Sequence, residues 1–395
     1  MNLLPAVADM ARVDVRALHA WLRGHTSDLV GDVVALAREE TPSDDLALLE
    51  VGLKFTEAMV NERLGAPGSR TAWPSAAYGD VLVLDYPGVG PRRVVAIGHY
   101  DTVFDAGTVR SWPVEVDGDR VSGPGVFDMK GGLVQLVWAL RSLDLLGIAR
   151  PPVRLVINGD EEIGSPFSRP LIEQASDGAA AVLVLEASAH GAVKTARKGV
   201  GLFSVTARGI ESHAGLDPEA GASAVDEIAR AVTALHDGAD PPRGTSINVG
   251  VVHGGSRPNV VAGLARADLD IRVSSAAEQA RIDALLTSLC PRDERVRLEL
   301  SGGWNRPVMP RTDDIAQMYA LAGAAAGQLG LDLQEASVGG ASDGNFVAAL
   351  GIPVLDGLGA VGAGAHARHE WISIAGMAER AALVAALVAA FADPT

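Results

Sequence analysis

Asn158-Gly159-Asp160-Glu161-Glu162-Ile163-Gly164-Ser165 places two adjacent glutamates just beyond the apolar run Val153–Ile157. That run predicts a buried strand. Bare carboxylates at the end of a buried strand are unfavourable, because taking even one ionised carboxylate out of water costs several kcal/mol. A bound cation would offset that cost, whereas an acidic loop exposed to solvent would avoid it. The segment therefore predicts either a cation site or a solvated loop at this strand end.

Two further apolar runs end in residues that can bind metals. Val94–Ile97 is followed by His99 and Asp101, and Ala181–Leu185 is followed by Glu186. Side chains two residues apart on an extended chain lie on the same side, so Asp101 could hold the His99 imidazole in one tautomer. A loop histidine bonded to a nearby aspartate is the alternative. Because sites in open α/β sheets form at the carboxyl ends of the strands, these endings favour one shared site.

Two more candidate ligands follow glycine-rich segments. Asp128 precedes a helix predicted at Leu133–Leu146, where a helix N-cap is the alternative role. His366 follows a short strand predicted at Ile352–Leu355, with His369 as a second choice. Imidazoles and carboxylates suit zinc and related divalent ions. The full candidate set is His99, Asp128, Glu161, Glu162, Glu186 and His366. Its four carboxylates carry about −4, which two divalent ions would neutralise.

The composition predicts a folded chain that avoids polyanions. The length of 395 residues is enough for two domains, and a hydrophobic share of 48% is typical of a folded chain. The formal net charge is −16. Such a charge disfavours nucleic acid or an anionic membrane surface as a partner.

The terminal and cysteine patterns favour a cytoplasmic location. Met1–Met10 lacks a basic start and a long apolar stretch, so no signal peptide is expected. No apolar segment is long enough to span a bilayer. The single cysteine, Cys290, excludes an internal disulfide and a cysteine-based metal site, and it fits a reducing compartment. We expect Cys290 to be a small buried apolar residue.

The order of predicted elements indicates an α/β protein with an inserted module. A single helix is predicted over Val13–Arg38, and strand and helix patterns follow as far as residue 198. Residues 199–305 then show the order β-α-β-β-α-β of a ferredoxin-like module, with its last strand at Val296–Leu300. The first pattern resumes over residues 306–395. We therefore expect a domain of residues 1–198 and 306–395 interrupted by a domain of residues 199–305.

The candidate ligands lie in segments that resemble the co-catalytic zinc aminoacylase and carboxypeptidase family, and most closely its glutamate carboxypeptidases that act on folates. The resemblance extends over nearly the whole chain. The segments that carry it are Gly98–Val103 (GHYDTV), Gly123–Gly132 (GPGVFDMKGG), Asp160–Ser165 (DEEIGS) and His366–Trp371 (HARHEW). The resemblance implies a zinc-peptidase-like catalytic domain with a mixed central sheet flanked by helices, and an inserted lid and dimerisation domain.

The resemblance also implies a role for each candidate in a site with two Zn²⁺ ions, for which Co²⁺ or Mn²⁺ could substitute. His99 and Glu186 would bind one ion, Glu162 and His366 the other, and Asp128 would bridge both. Asp101 would orient His99, and Glu161 would be the general base that activates a bridging water. His366 matches the family position better than His369, because Glu370 lies four positions beyond it.

The inserted module would add residues to the site. By the resemblance, His213 would reach the active site of the partner subunit in a homodimer and stabilise the oxyanion; without it, a surface histidine is the simpler interpretation. Arg272 would hold a substrate carboxylate as a bidentate pair, with Asn259, Arg306 and Gly340 as further substrate contacts. Glu186 is followed by Ala187-Ser188 where many relatives carry proline, and Val261-Ala262-Gly263 also lacks one.

The first functional hypothesis is a metal-dependent amide hydrolase that releases a C-terminal amino acid, preferably glutamate, from a small N-acyl or peptidyl substrate. An aminoacylase, deacetylase or dipeptidase of the same family is the alternative. A homologue that binds metal without catalysis forms a different class, and it would be expected to lack Glu161 or a ligand. A dinucleotide-dependent enzyme is disfavoured, because no G-x-G-x-x-G follows the first strand.

Overall fold

A computed structural model describes residues 4–392 of the chain. The expectation for Met1–Met10 falls partly on residues 1–3, which lie outside the described residues. The helices are α1 (Val15–Gly24), α2 (Thr26–Arg38), α3 (Leu46–Leu64), α4 (Thr108–Ser111), α5 (Gly131–Leu145), α6 (Arg169–Ser176), α7 (Ala224–Asp237), α8 (Ala276–Ser288), α9 (Asp313–Gln328), α10 (Gly344–Ala349) and α11 (Ile374–Ala390).

The strands follow the same chain order. They are β1 (Ser69–Trp73), β2 (Val81–Tyr86), β3 (Val94–His99), β4 (Glu115–Asp117), β5 (Arg120–Ser122), β6 (Val153–Asn158), β7 (Ala181–Val184), β8 (Val193–Arg197), β9 (Gly199–Arg208), β10 (Ser246–Gly254), β11 (Leu264–Val273), β12 (Arg297–Arg306), β13 (Glu335–Val338), β14 (Val354–Leu355), β15 (Gly362–Ala363) and β16 (Trp371–Ser373). Within residues 4–392, no helix is both long and apolar enough to cross a membrane.

These elements form two compact units. The first comprises Met1–Ala196, Arg311–Val338 and Ser342–Thr395, and the second comprises Arg197–Pro310 and Gly339–Ala341. The expected α/β fold class is confirmed, since each unit builds its own sheet and its own core.

The first unit contains a mixed six-stranded sheet in the order β1-β2-β6-β3-β7-β14. Strands β6, β3, β7 and β14 run parallel, while β2 runs antiparallel to both of its neighbours, β1 and β6. The buried strands are short apolar runs, as expected where both faces of a sheet are covered. Because the parallel strands share a direction, their carboxyl ends meet at one edge of the sheet.

Helices α5 and α11 form the centre of the first unit's core and pack against each other. The pattern of Leu133, Leu136, Val137, Leu140 and Leu143 predicted one buried stripe on α5, and all five are buried. Val134, Trp138 and Ala139 are buried as well. Helix α5 is therefore enclosed on every side, which a one-sided pattern does not indicate.

The second unit is the ferredoxin-like module. Its antiparallel sheet has the order β10-β11-β9-β12, with α7 and α8 in the connections. Strand β12 extends to Arg306, beyond the Val296–Leu300 run, because its glycine-rich second half also pairs with β9. That half has no apolar pattern from which a strand could be predicted. Helix α7 begins where the Ser223 hydroxyl accepts a hydrogen bond from Asp226 N at 3.2 Å.

Two local predictions were wrong. The helix predicted over Val13–Arg38 is two helices, and the chain breaks between Gly24 and Thr26, where His25 Nδ1 lies 2.8 Å from the Trp21 carbonyl oxygen. Cys290 is exposed and not buried. It lies in the loop after α8, beyond the last buried position of that helix at Leu286; no local pattern indicated that the chain turns outward there.

Candidate metal centre

Strand order brings the predicted ligands together at one edge of the six-stranded sheet. Strand β3 ends at His99, which pairs with Asn158 at the end of β6. Glu161 and Glu162 follow β6 in a short helical turn, and Glu186 follows the neighbouring strand β7. These side chains are therefore neighbours although up to 87 residues separate them along the chain, from 99 to 186.

His99 lies on the buried side of the cluster. Its side chain is 1% exposed, and its Nε2 atom lies 3.4 Å from Asp128 Oδ1 and 3.5 Å from Glu186 Oε1. Within the described part of the chain, His99 Nε2 has no hydrogen-bond partner. A buried nitrogen without a partner, facing two carboxylate oxygens, has the surroundings of a metal ligand.

His366 occupies the opposite side of Asp128. Its Nε2 atom lies 3.3 Å from Asp128 Oδ2 and 3.0 Å from Glu162 Oε2. The backbone of His366 is left-handed, with φ of 62°, a conformation that costs a non-glycine residue about 1–3 kcal/mol. Asp128 thus directs one oxygen to each imidazole, which is the arrangement that a bridging carboxylate requires.

The separations fit zinc-like coordination. Ligand atoms at about 2.0–2.1 Å from a tetrahedral ion lie about 3.3–3.4 Å from one another, and the nitrogen-to-oxygen distances here are 3.0–3.5 Å. In two groups of residues, the potential ligand atoms all lie within 4.8 Å of one another. One group is His99, Glu161 and Glu186, and the other is His99, Asp128 and Glu162. The donor set therefore suits a divalent cation on each side of Asp128, and Glu161 is close enough to serve either as ligand or as base.

The carboxylates of the cluster favour protonation of the two histidines. Hydrogen bonds with Asp128 and Glu162 raise the pKa of His366 to about 11. Burial works against protonation of His99, yet the nearby carboxylates of Asp101, Asp128 and Glu186 raise its pKa well above the usual value. Burial raises the pKa of Glu162 to about 7, and the two histidines hold the pKa of Asp128 well below its usual range despite its burial. Cations would replace these protons.

Asp101 supports both the histidine and the glutamate turn. Its fully buried carboxylate lies 3.3 Å from His99 Nδ1, and its carbonyl oxygen lies 3.0 Å from the same atom. The carboxylate also accepts hydrogen bonds from Glu161 N at 3.3 Å, Glu162 N at 3.1 Å and the Ser43 hydroxyl at 2.8 Å. One side chain therefore fixes the imidazole and the Glu161-Glu162 backbone in a single arrangement.

Glu370 supports the loop that carries Asp128. Its fully buried carboxylate accepts hydrogen bonds from Phe127 N at 2.6 Å, Asp128 N at 2.9 Å and Gly125 N at 3.1 Å. Burial raises the pKa of Glu370 to about 8, although the backbone bonds oppose that shift. The loop is held by a residue only four positions beyond His366, so both sides of the Asp128 bridge depend on one short segment.

The remaining predicted site residues lie in the second unit. His213 is exposed, and its Nδ1 atom accepts hydrogen bonds from Gly215 N and Leu216 N, both at 3.1 Å. An imidazole that accepts at Nδ1 is neutral and carries its proton on Nε2, so it presents a donor. The exposed Asn259 is adjacent, because its carbonyl oxygen accepts from Ala214 N at 3.0 Å.

Arg272, which was expected to bind a substrate carboxylate, already has a carboxylate partner. Arg272 forms a two-point pair with Asp270, from Nε at 2.6 Å and from Nη2 at 2.7 Å. Its Nη1 atom lies 3.5 Å from the carbonyl oxygen of Gly339. Arg306 is 3% exposed, and Gly340 accepts a hydrogen bond from Arg197 Nη1 at 3.1 Å. The Nε and Nη2 atoms of Arg272, which were expected to bind a substrate carboxylate, donate to Asp270 instead.

Sequence reasoning missed Ser43 and the supporting role of Glu370. Ser43 lies in the segment Thr41-Pro42-Ser43, which indicated only the end of a helix, and Glu370 served only as a spacing landmark for His366. The groups that Glu370 binds are backbone N–H groups 242 to 245 residues away. Such partners have no side-chain signature, so no local pattern could have indicated them.

Comparisons with known proteins identify the family of the chain. The model of Peptidase family M20/M25/M40 matches residues 95–390. Carboxypeptidase G2 of Pseudomonas sp. (strain RS-16) is 28% identical over 369 residues, covering 89% of this chain and 86% of that protein. Acetylornithine deacetylase of Myxococcus xanthus is 30% identical over 231 residues, covering 55% of this chain and 59% of that protein.

A solved structure shows the same fold. The aminopeptidase PepT of Bacillus cereus ATCC 10987 superposes with a TM-score of 0.74 at 20% identity, covering 93% of this chain and 98% of that one. The family match spans four strands of the six-stranded sheet, the inserted module and the segment that carries His366. The chain therefore belongs to Peptidase family M20/M25/M40 and is a metal-dependent peptidase or amidohydrolase.

Proposed function

We propose that this protein is a carboxypeptidase-like amide hydrolase that releases a C-terminal amino acid, preferably glutamate, from a small N-acyl or peptidyl substrate. The observation that carries the proposal is the division of the Asp128 carboxylate between His99 and His366, at 3.4 and 3.3 Å. That division supports a site for two cations, and the likeness to a protein named carboxypeptidase G2 supports the type of bond. Zinc is the proposed metal, with cobalt or manganese as substitutes.

The proposed ligand sets follow the measured neighbours. His99 and Glu186 would hold one cation, Glu162 and His366 the other, and Asp128 both. The pair of cations would supply Lewis-acid polarisation of the scissile carbonyl and a lowered pKa for an attacking water. Asp101 would keep the His99 imidazole in the tautomer that leaves Nε2 free to bind.

Proton transfer is assigned to Glu161. Its backbone is fixed by Asp101, while its side chain lies within reach of His99 and Glu186 and is only partly buried. As general base, Glu161 would take a proton from the attacking water and pass it to the leaving amine. His213, with its proton on Nε2, would donate to the oxyanion.

Substrate recognition is assigned to the second unit. Asn259, Arg306 and Gly340 are proposed contacts, as is Arg272 once its pairing with Asp270 is exchanged for a substrate carboxylate. Because Asp270 competes for the same guanidinium nitrogens, Arg272 would bind a substrate carboxylate more weakly than an unpaired arginine would. This competition is compatible with a small substrate held mainly by the metal centre.

We also propose a homodimer in a reducing compartment such as the cytoplasm. Val251 and Val252 on the edge strand β10 are 44% and 54% exposed, and Val225 on α7 is 40% exposed. An exposed apolar edge strand favours pairing with another chain. Within the family, His213 would then act on the partner subunit's site. The single free cysteine, Cys290, is compatible with reducing conditions.

A deacylase is the second candidate, because acetylornithine deacetylase matches 55% of the chain at 30% identity. A panel of peptides and N-acyl amino acids, scored by which amino acid is freed by zinc-loaded protein, separates the two. Release of glutamate from N-acyl-glutamates ahead of other products supports the first proposal, and preference for acetyl groups regardless of the amino acid supports the second. No turnover with zinc, cobalt or manganese refutes both.

Glu161→Gln tests the mechanism. The variant is expected to bind both metals yet lose at least about 100-fold in kcat, the range for loss of a general base. Metal content measured on the same samples separates loss of the base from loss of a ligand. Full turnover in this variant would remove Glu161 from the mechanism.

A further inference from the structure

The first unit contains a cavity that is separate from the metal centre. Its volume is about 270 Å³, and its walls come from the turn around Gly191, the end of α9 with the segment after it, and α11. None of the candidate metal ligands among the described residues lines it. The volume is just below the roughly 300–1,000 Å³ typical of sites for drug-sized ligands, which limits the occupant to a small molecule.

The cavity contains a buried cation, Arg380, one nitrogen of which has no hydrogen-bond partner among the described residues. Arg380 on α11 is 4% exposed, and its Nη2 donates to the carbonyl oxygens of Gly191 at 2.8 Å and Gly357 at 3.5 Å. Its Nε has no hydrogen-bond partner in the described part of the chain. Burial lowers the pKa of Arg380 to about 10, with Glu379 acting in the opposite direction.

This cation is hard to explain by packing alone. Its neighbours on α11 include Met377, Ala381 and Leu383, all buried, so an apolar side chain would suit the position. An uncompensated buried charge destabilises the fold, whereas replacement by an apolar residue of similar volume is often neutral or stabilising. Two carbonyl dipoles solvate the guanidinium, and burial outweighs the attraction of Glu379. An anionic ligand group would neutralise that charge.

The rest of the lining selects the remainder of the ligand. Leu329, Leu333 and Leu383 supply apolar walls, and the acidic side chains of Asp332 and Glu379 also line the cavity. One cation and two acids do not suit a simple anion. They suit a molecule with a carboxylate, an ammonium group and an aliphatic chain.

We propose that this cavity binds a small aliphatic amino acid, with its carboxylate at Arg380 and its ammonium group toward Glu379 or Asp332. His190 at the cavity has a left-handed φ of 52°, and strained non-glycine residues cluster at ligand sites. Binding at this cavity requires no hydrolysis, so it can be tested independently of the proposed activity. Gly191 follows Glu186 by five residues and Gly357 precedes His366 by nine, so the metal-loaded protein is the form to test.

Calorimetric titration of the zinc-loaded full chain with L-leucine, isocaproate and isopentylamine tests the proposal. Leucine is expected to bind with a one-to-one stoichiometry, isocaproate more weakly, and isopentylamine least. Arg380→Met, which keeps an unbranched side chain that can pack in the core and removes the charge, is expected to weaken leucine binding at least about tenfold. Unchanged leucine binding in this variant would place the amino acid elsewhere, such as at the metal centre, and would overturn the proposal.

A second pair of variants covers the case in which Arg380→Met does not fold. Ala326→Leu adds atoms to the wall of the cavity from α9, and Ala320→Leu adds the same atoms to the exposed side of that helix. Leucine binding is expected to fall in the first variant and to remain in the second. Equal binding in both, isopentylamine binding as tightly as leucine, or no saturable leucine binding at millimolar concentration would each overturn the proposal.

Discussion

Glu370→Gln is expected to weaken metal binding and turnover while leaving the fold intact. The amide oxygen can keep the two bonds that Glu370 Oε1 accepts from Phe127 N and Asp128 N. The amide nitrogen would face Gly125 N, so two donors meet where an acceptor stood at 3.1 Å. Losing this buried bond costs about 1–3 kcal/mol, which corresponds to a factor of roughly 5 to 150. Residues that support metal ligands show a similar range, about 10- to 100-fold.

The assay separates loss of positioning from loss of stability. Zinc affinity is measured by competition with a chelator, and kcat and KM are measured at saturating zinc, for Glu370→Gln and for a control. Asp32→Asn is the matched control, because Asp32 is also buried and also accepts three hydrogen bonds, from Arg63 Nε and Nη2 and from Trp138 Nε1. The control is expected to lower the melting temperature without changing zinc affinity. Wild-type zinc affinity and turnover in Glu370→Gln, or equal losses in both variants, would refute the positioning role.

Three further outcomes are expected. Apparent zinc affinity should rise with pH through about pH 7, because the histidines and Glu162, whose pKa is raised to about 7, must lose protons on binding; affinities that do not change with pH in chelator titrations would contradict this. Ser43→Ala removes the hydroxyl that donates to Asp101 at 2.8 Å and should lower kcat/KM about 2- to 10-fold. Ser43→Thr keeps a hydroxyl and should not lower kcat/KM; equal effects of the two variants would argue against a role for the hydroxyl. His213→Ala should lower kcat by about 100- to 1,000-fold with metal content unchanged, and verified heterodimers with Glu161→Gln that recover no activity would exclude action across the dimer.

Elements with strong local patterns were predicted well, and elements without them were not. The apolar runs 94–97, 153–157 and 181–185 mark β3, β6 and β7 to within two residues, because buried strands need continuous apolar side chains. Strand β1 was missed, since four of its five residues are exposed and its sequence has no apolar pattern. It is held by pairing with β2, which its own residues do not encode.

The candidate site shows the same division. His99, Glu162, Glu186, Asp128 and His366 could be named because each follows an apolar run or lies in a recognisable loop. The pairing of Arg272 with Asp270 was missed, although only two residues separate them. Whether a guanidinium faces its neighbour on the same strand or a ligand depends on what surrounds that face of the sheet.

The sequence by itself determined which segments form strands and which metal-binding residue types stand at their ends, because apolar periodicity and residue chemistry are local properties. The tertiary structure alone decided that β6, β3 and β7 are neighbours, and it places one Asp128 oxygen beside each of two histidines. It also decided that Ser43 and Glu370 brace the site. Those contacts join residues tens to hundreds of positions apart, and they arise from strand order and packing, which no single segment encodes.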